Sequence, residues 1–364
     1  MRSAASWSFG LVLSICAACA ATAVLISTAG AQNPSGVPPA QYPPATQPGN
    51  SATQQPSNNP SPSDASQPPQ SPDQQPTGQP SSGGDSGMFV FKKQVEEVVL
   101  HATVYDEERH MVTGLDKSAF TVLENGAQQP VTSFRREDVP VAMGIVVDNS
   151  GSMREKREQV NQAVLNLIHA SNPQDQIFVV NFSQNYYLDQ DFTSNVNLLQ
   201  AALHQVSAQG STALYDAIVA SALHLNNNTL LNKKVLLVIT DGQDNMSQET
   251  LQEAAQRLEQ ANGPVLYAIG LLGSGLQQSG RDALQTLAGD TGGVAYFPDS
   301  IDQVDNITRT IAHDIRSQYR IAYKPHNQNV KPEYQQLQVE AHAPGYSRLT
   351  VRTRSGYYSE NLPH

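Results

Sequence analysis

Apolar residues follow three different periods along this chain. Val98, Leu100, Ala102 and Val104 alternate with His101, Thr103 and Tyr105, the period of a strand with one buried face. Phe120, Val122 and Leu123 lead into Asn125-Gly126, a hairpin signal because both residues tolerate positive φ. Val131 and Phe134 carry the return strand. From 141 to 147 the alternation stops. Val141, Ala142, Met143, Ile145, Val146 and Val147 run without a polar partner, which suits a strand covered on both faces.

A helical period follows at Val160, Ala163, Val164, Leu167 and Ile168. Strands at 177–180, 235–239, 265–269 and 294–297 then alternate with helices. One helix is predicted over 213–225. Another is capped by Ser247 and runs to 261. A last one is marked by Val304, Ile307, Ile311 and Ile315. This alternation predicts an α/β region with a doubly wound, mainly parallel sheet over 141–318. β patterns return at Ile321 and Tyr323, at Leu337, Val339 and Ala341, and at Leu349 and Val351. Neither flanking segment, 88–140 or 319–359, has enough strands for its own core. Together they are expected to form one small β-sandwich, with the middle region as an insertion.

The first 87 residues read differently. Arg2, an apolar stretch over 9–26 and Ala29-Gly30-Ala31 predict a secretory signal peptide over 1–31. A retained anchor or a lipoprotein cleaved before Cys19 stay open as alternatives. Residues 32–87 are rich in Pro, Gln, Ser, Asn and Gly and poor in aliphatic side chains. They are expected to form a disordered linker, because little apolar burial offsets the entropy of ordering. The chain has 2 cysteines, Cys16 and Cys19. Both lie in the signal, so the exported protein is expected to fold without disulfides. The net charge of −11 argues against nucleic acid as a partner. No stretch after the signal is apolar enough to span a membrane. The expected location is secreted, periplasmic or at the cell surface.

Chemistry concentrates at predicted strand ends. Asp148, Ser150 and Ser152 follow the 141–147 run at alternate positions and place three oxygens on one side of a loop. Thr212 follows Gly210-Ser211 before a helix, and Asp241 follows Thr240 at the end of the 235–239 run. In open α/β sheets, ligands bind beyond the carboxyl ends of the strands. Two carboxylates and three hydroxyls, without nitrogen or sulfur, suit Mg2+, Mn2+ or Ca2+ rather than Zn2+ or Cu2+. So little charge leaves a divalent ion short of ligands.

The set D-N-S-G-S at 148–152, Thr212 in GSTALYDA and Asp241 in ITDG resembles the metal-ion-dependent adhesion site of the von Willebrand factor type A family. The flanking segments resemble those of bacterial secreted proteins with related domains. The resemblance implies a Rossmann-like sheet and a bound Mg2+ or Mn2+. It also implies a protein ligand whose Asp or Glu completes the metal shell, with Thr212 and Asp241 contacting the ion directly or through water. The expected function is non-enzymatic adhesion or binding. A metal-stabilised scaffold and a metal-dependent hydrolase are the rivals; no histidine lies beside the three loops to serve the latter as a base. Asp244 and Asn245 are expected in a turn role, and Arg154, Lys156 and Arg157 on a solvated helix face.

Overall fold

The structure is a computed structural model that describes residues 97–136, 138–204, 208–271, 277–325 and 334–359. The predicted signal peptide and linker lie outside the described residues. The first half of the sandwich comprises β1 (Val98–Tyr105), β2 (Phe120–Glu124), β3 (Ala127–Gln129) and β4 (Val131–Arg135). The α/β region follows with β5 (Val141–Asp148), α1 (Arg157–His169), β6 (Gln176–Phe182), β7 (Tyr186–Thr193), α2 (Val196–His204) and α3 (Leu214–Asn228). It continues with β8 (Lys233–Thr240), α4 (Leu251–Leu258), β9 (Val265–Gly270), α5 (Gln278–Thr291), β10 (Ala295–Tyr296) and α6 (Val304–Arg316). The chain closes on β11 (Tyr319–Tyr323), β12 (Tyr334–Ala341), β13 (Thr350–Arg352) and β14 (Gly356–Tyr358).

The central sheet has six strands in the order β10-β9-β8-β5-β6-β7. All pairs are parallel except β6 with β7. Every residue of β5 is buried, because its two faces serve two cores. Val141, Met143, Ile145 and Val147 pack with α1, α2 and α6. Ala142 and Val146 pack with α3, α4 and α5. The unbroken apolar run is thus a strand buried from both sides. Gly144 is required by close packing: a Cβ there would lie 2.4 Å from Phe178 Cζ and 2.6 Å from Leu236 Cδ2.

The flanking segments pair with each other. One four-stranded sheet runs β13-β1-β11-β4 and the other β14-β12-β2-β3. Each mixes strands from both ends of the described chain. β1 pairs antiparallel with β11, Val98 facing Tyr323; β2 pairs antiparallel with β12, Val122 facing Val339. Leu100, Val104, Val122, Ile321, Tyr323 and Val339 fill the space between the sheets. Asn125 and Gly126 make the predicted turn at φ 49° and 78°, but the strand that returns on β2 is β3; Val131 and Phe134, expected there, lie on β4, which pairs with β11 in the other sheet. The α/β region is therefore inserted into the sandwich.

The two parts are joined by polar contacts, some of them buried. Asp314 on α6 accepts from Thr103 Oγ1 of β1 at 2.9 Å and pairs with Arg352 of β13. Arg354 donates to the carbonyls of Leu258 and Ala261 at 3.2 and 2.9 Å. The Tyr334 hydroxyl donates to Glu259 at 3.1 Å.

Some local expectations fail. The helix expected from Ser247 to 261 is α4, Leu251–Leu258, capped by Thr250. Glu253 N donates to Thr250 Oγ1 at 3.2 Å while Thr250 N donates to Glu253 at 2.7 Å. This reciprocal box satisfies two end donors at once. Ser247 instead accepts from Asp216 N at 3.1 Å. β7, α2 and α5 are further elements without a counterpart in the sequence prediction. Among the described residues, no helix is long and apolar enough to cross a membrane.

Candidate metal centre

Strand order places the site. β6 lies on one side of β5 and β8 on the other, so the connections leaving the ends of β5 and β8 diverge and open a crevice between them. Asp148 ends β5 and Asp241 follows Thr240 at the end of β8. The loop after β5 is held by its neighbours. Asn149 N donates to Phe182 O at 2.6 Å, Gln209 N to Asn149 O at 2.7 Å, and Gly151 N to Gly210 O at 3.2 Å. The Thr212 loop is fixed by Asn245, whose Oδ1 accepts from Thr212 N at 3.0 Å. Asp244 Oδ1 accepts from Leu214 N at 2.8 Å and so caps α3. Both residues therefore brace the Thr212 loop and the start of α3 instead of serving a turn of their own.

All five sequence-selected residues come together. Ser152 Oγ donates to Asp241 Oδ1 at 2.7 Å, and Ser150 Oγ lies 3.2 Å from Ser152 Oγ. Thr212 Oγ1 sits over Gly242, where a Cβ would approach it to 3.0 Å; glycine leaves room for that hydroxyl. Asp148 accepts from Ser150 N at 2.7 Å and from Thr240 Oγ1 at 2.6 Å. Thr240 thus supports the site from below. Ser150, Ser152 and Thr212 line a hollow of about 510 Å³ that also involves Gly242, Asp244, Asn245 and Gln277.

Asp148 and Asp241 are almost fully buried, whereas Ser152 is exposed. Burial pushes the Asp148 carboxyl above its ordinary value; hydrogen bonds from Thr240 and Ser150 oppose this, and the nearby Asp241 charge adds to it. Buried carboxylates need positive partners. The donor set is oxygen-only and fits a hard divalent ion. The side-chain oxygen and nitrogen of Asn149, within the first loop, are buried without a protein partner.

Two expectations about charge are corrected. Arg157 is buried rather than solvated. Its guanidinium donates to Leu203 O at 2.8 Å and Asn181 Oδ1 at 3.2 Å. Burial lowers its pKa to about 10, against the charges of Asp148 and Asp189. Lys156 is only partly exposed and its ammonium pairs with Asp241. Both residues open α1 directly behind the first loop, so they turn inward with it. Separately, Asp106, Glu108 and His110 cluster after β1 on the sandwich.

Residues 143–243 match the family model of the von Willebrand factor type A domain. The α/β region is a von Willebrand factor type A domain, carried within a β-sandwich. No curated protein matches the sequence. Among solved structures, the chain is similar to proximal thread matrix protein 1 from the mussel byssus, at 19% identity over 53% of this chain and 51% of that one, TM-score 0.44. It is also similar to the conserved hypothetical protein BatB from Bacteroides thetaiotaomicron, at 19% identity over 48% and 98%, TM-score 0.39. A third similarity is to a von Willebrand factor type A protein from Catenulispora acidiphila, at 13% identity over 74% and 75%, TM-score 0.43. The chain spans about half the length of the mussel protein.

Proposed function

We propose that this chain is an exported, non-enzymatic binding protein that engages a protein partner through a divalent ion. The observation carrying this reading is the convergence of Asp148, Ser150, Ser152, Thr212 and Asp241 beside an open hollow at the diverging ends of β5 and β8. In this reading Asp148, Ser150 and Ser152 hold the ion from the first loop, Thr212 from the second and Asp241 from the third. Mg2+ is the preferred ion, with Mn2+ or Ca2+ as substitutes. When bound, it supplies a coordination position that a partner's Asp or Glu fills.

The hollow supports binding over hydrolysis. The carboxylates at it are already engaged: Asp148 accepts from Ser150 N and Thr240 Oγ1, Asp241 from Ser152 Oγ and Lys156, and Asp244 from Leu214 N. The expected signal peptide supports a location outside the cell.

The test is thermal unfolding in EDTA and in Mg2+, Mn2+ or Ca2+, with Asp148→Ala and Asp241→Ala beside the wild type. At a hundredfold excess over the dissociation constant, one bound ion adds about 2.7 kcal/mol. A shift that both variants lose supports the site. Surface plasmon resonance against a panel of extracellular proteins then tests the partner. Equal Mg2+-dependent binding by wild type and Asp148→Ala would sink the adhesion reading. Metal-dependent stability with no metal-dependent partner would favour a scaffold.

A further inference from the structure

Asp241 has a cationic partner within its own domain. Its side chain is 1% exposed, and the Lys156 ammonium pairs with its Oδ2. Its other oxygen accepts from Ser152. The segment from Asp148 to Lys156 thus supplies three of the candidate metal donors and wraps a positive charge onto a fourth.

The lysine's backbone is fixed. Lys156 N donates to Met153 O at 2.9 Å, and Lys156 O accepts from Val160 N at 3.0 Å at the start of α1. Its side chain remains 25% exposed, and an ammonium on a flexible four-carbon stem can swing into solvent. A divalent ion seated on Asp241 would face a neighbouring positive charge. Like charges at contact distance repel in a partly desolvated site, so the ion and the ammonium compete for the same carboxylate.

We propose that Lys156 is the internal counter-ion of this site and that metal binding is a cation exchange. The ammonium holds Asp241 until a divalent ion replaces it, and Lys156 then moves to the rim. This inference rests on the metal-site reading above. It adds a residue outside the five donors that sets metal affinity, because every ion must displace a charge the protein already carries. A lysine with only a structural role would make a different prediction: its loss would lower stability and leave metal affinity unchanged.

The experiment uses the full chain and Mn2+ titration by calorimetry. Wild type is compared with Lys156→Met, Lys156→Gln and Asp241→Asn, each checked for fold by far-UV circular dichroism. Lys156→Met and Lys156→Gln are expected to bind Mn2+ at least about tenfold more tightly than wild type; Asp241→Asn is expected to lose binding. Tight binding by the lysine variants and none by wild type would support the exchange in its strongest form. Equal affinity in wild type and both folded lysine variants, with loss in Asp241→Asn, would overturn the exchange and leave the metal site standing. No Mn2+ binding by any folded form would overturn both. Nitrogen-15 spectroscopy of the lysine side chains gives a direct readout. The Lys156 Nζ signal is expected to shift on Mg2+ saturation, and an unmoved signal in a wild type that binds Mg2+ would equally overturn the exchange.

Discussion

The Tyr267 hydroxyl donates to Asp314 across 2.6 Å, linking the middle of β9 to the last helix. Thr103 from β1 and Arg352 from β13 converge on the same carboxylate. Burial pushes the Tyr267 hydroxyl well above its ordinary pKa, and the Asp314 charge adds to this. One buried anion thus joins sheet, helix and sandwich. Asp314→Ala would leave Arg352 and Tyr267 without their shared acceptor, and breaking a buried pair in this way costs about 3–5 kcal/mol. Urea unfolding followed by circular dichroism should show a correspondingly lower midpoint. An unchanged midpoint would mean that apolar contacts alone hold the joint.

Lys233 predicts a pH dependence. It enters β8 buried, with its ammonium on the Ile315 carbonyl. Burial, and after it the charge of Arg316, lowers its pKa from 10.5 to about 8. The folded chain therefore holds this proton less tightly than the unfolded chain. The group's favourable contribution is complete above about pH 10.5 and is lost as pH falls through about 8. Over that window it is worth on the order of 3 kcal/mol. The stability of wild type relative to Lys233→Met should rise from pH 8 to 10.5. A constant difference between the two would refute the assignment.

Gly144 predicts a packing limit. Its neighbours across the sheet are Phe178 and Leu236, and both lie where a Cβ would stand. Gly144→Ala should destabilise by about 1–3 kcal/mol through overpacking. Phe178→Leu combined with it should recover part of that loss, as read from unfolding midpoints. Additive losses in the double variant would show that the ring is not the obstacle.

A fourth prediction concerns α6. It packs on α1, where Thr308 Oγ1 donates to Ala163 O at 3.2 Å and Asn166 Nδ2 donates to Asp305 at 2.7 Å. Since α1 begins beside the candidate metal centre, metal occupancy there should reach α6. Hydrogen exchange across 301–318 should change between EDTA and Mg2+ plus ligand. Identical protection in both would separate the helix from the site.

Much of this was legible in the sequence because the central strands are extreme cases. β5 and β8 are so apolar that their burial on both faces follows from pattern alone, and the oxygen-bearing loops begin where those runs end. β7 was not legible. As an edge strand it carries Tyr186, Tyr187 and Leu188 largely in solvent, with Asp189 and Gln190 only half-buried, so no apolar alternation marks it. The start of α4 was readable from Thr250 and Glu253 as a capping box, but Ser247 matched the same end signal earlier in the chain. The inward turn of Lys156 and Arg157 had no sequence signal, because a basic residue opening a helix looks the same whether it meets solvent or Asp241.

The insertion of one domain within the other also bears on how the chain assembles. Val98 pairs with Tyr323, and such a long intervening loop is costly to close while it is still unfolded. The α/β region can form from contacts within its own span and bring Val141 and Arg316 to the same end of the molecule. β1 to β4 emerge first from the ribosome and still wait for partners that are made last. During that interval their edges are open to pairing with another chain. Folding of the middle region ahead of the sandwich would shorten that interval.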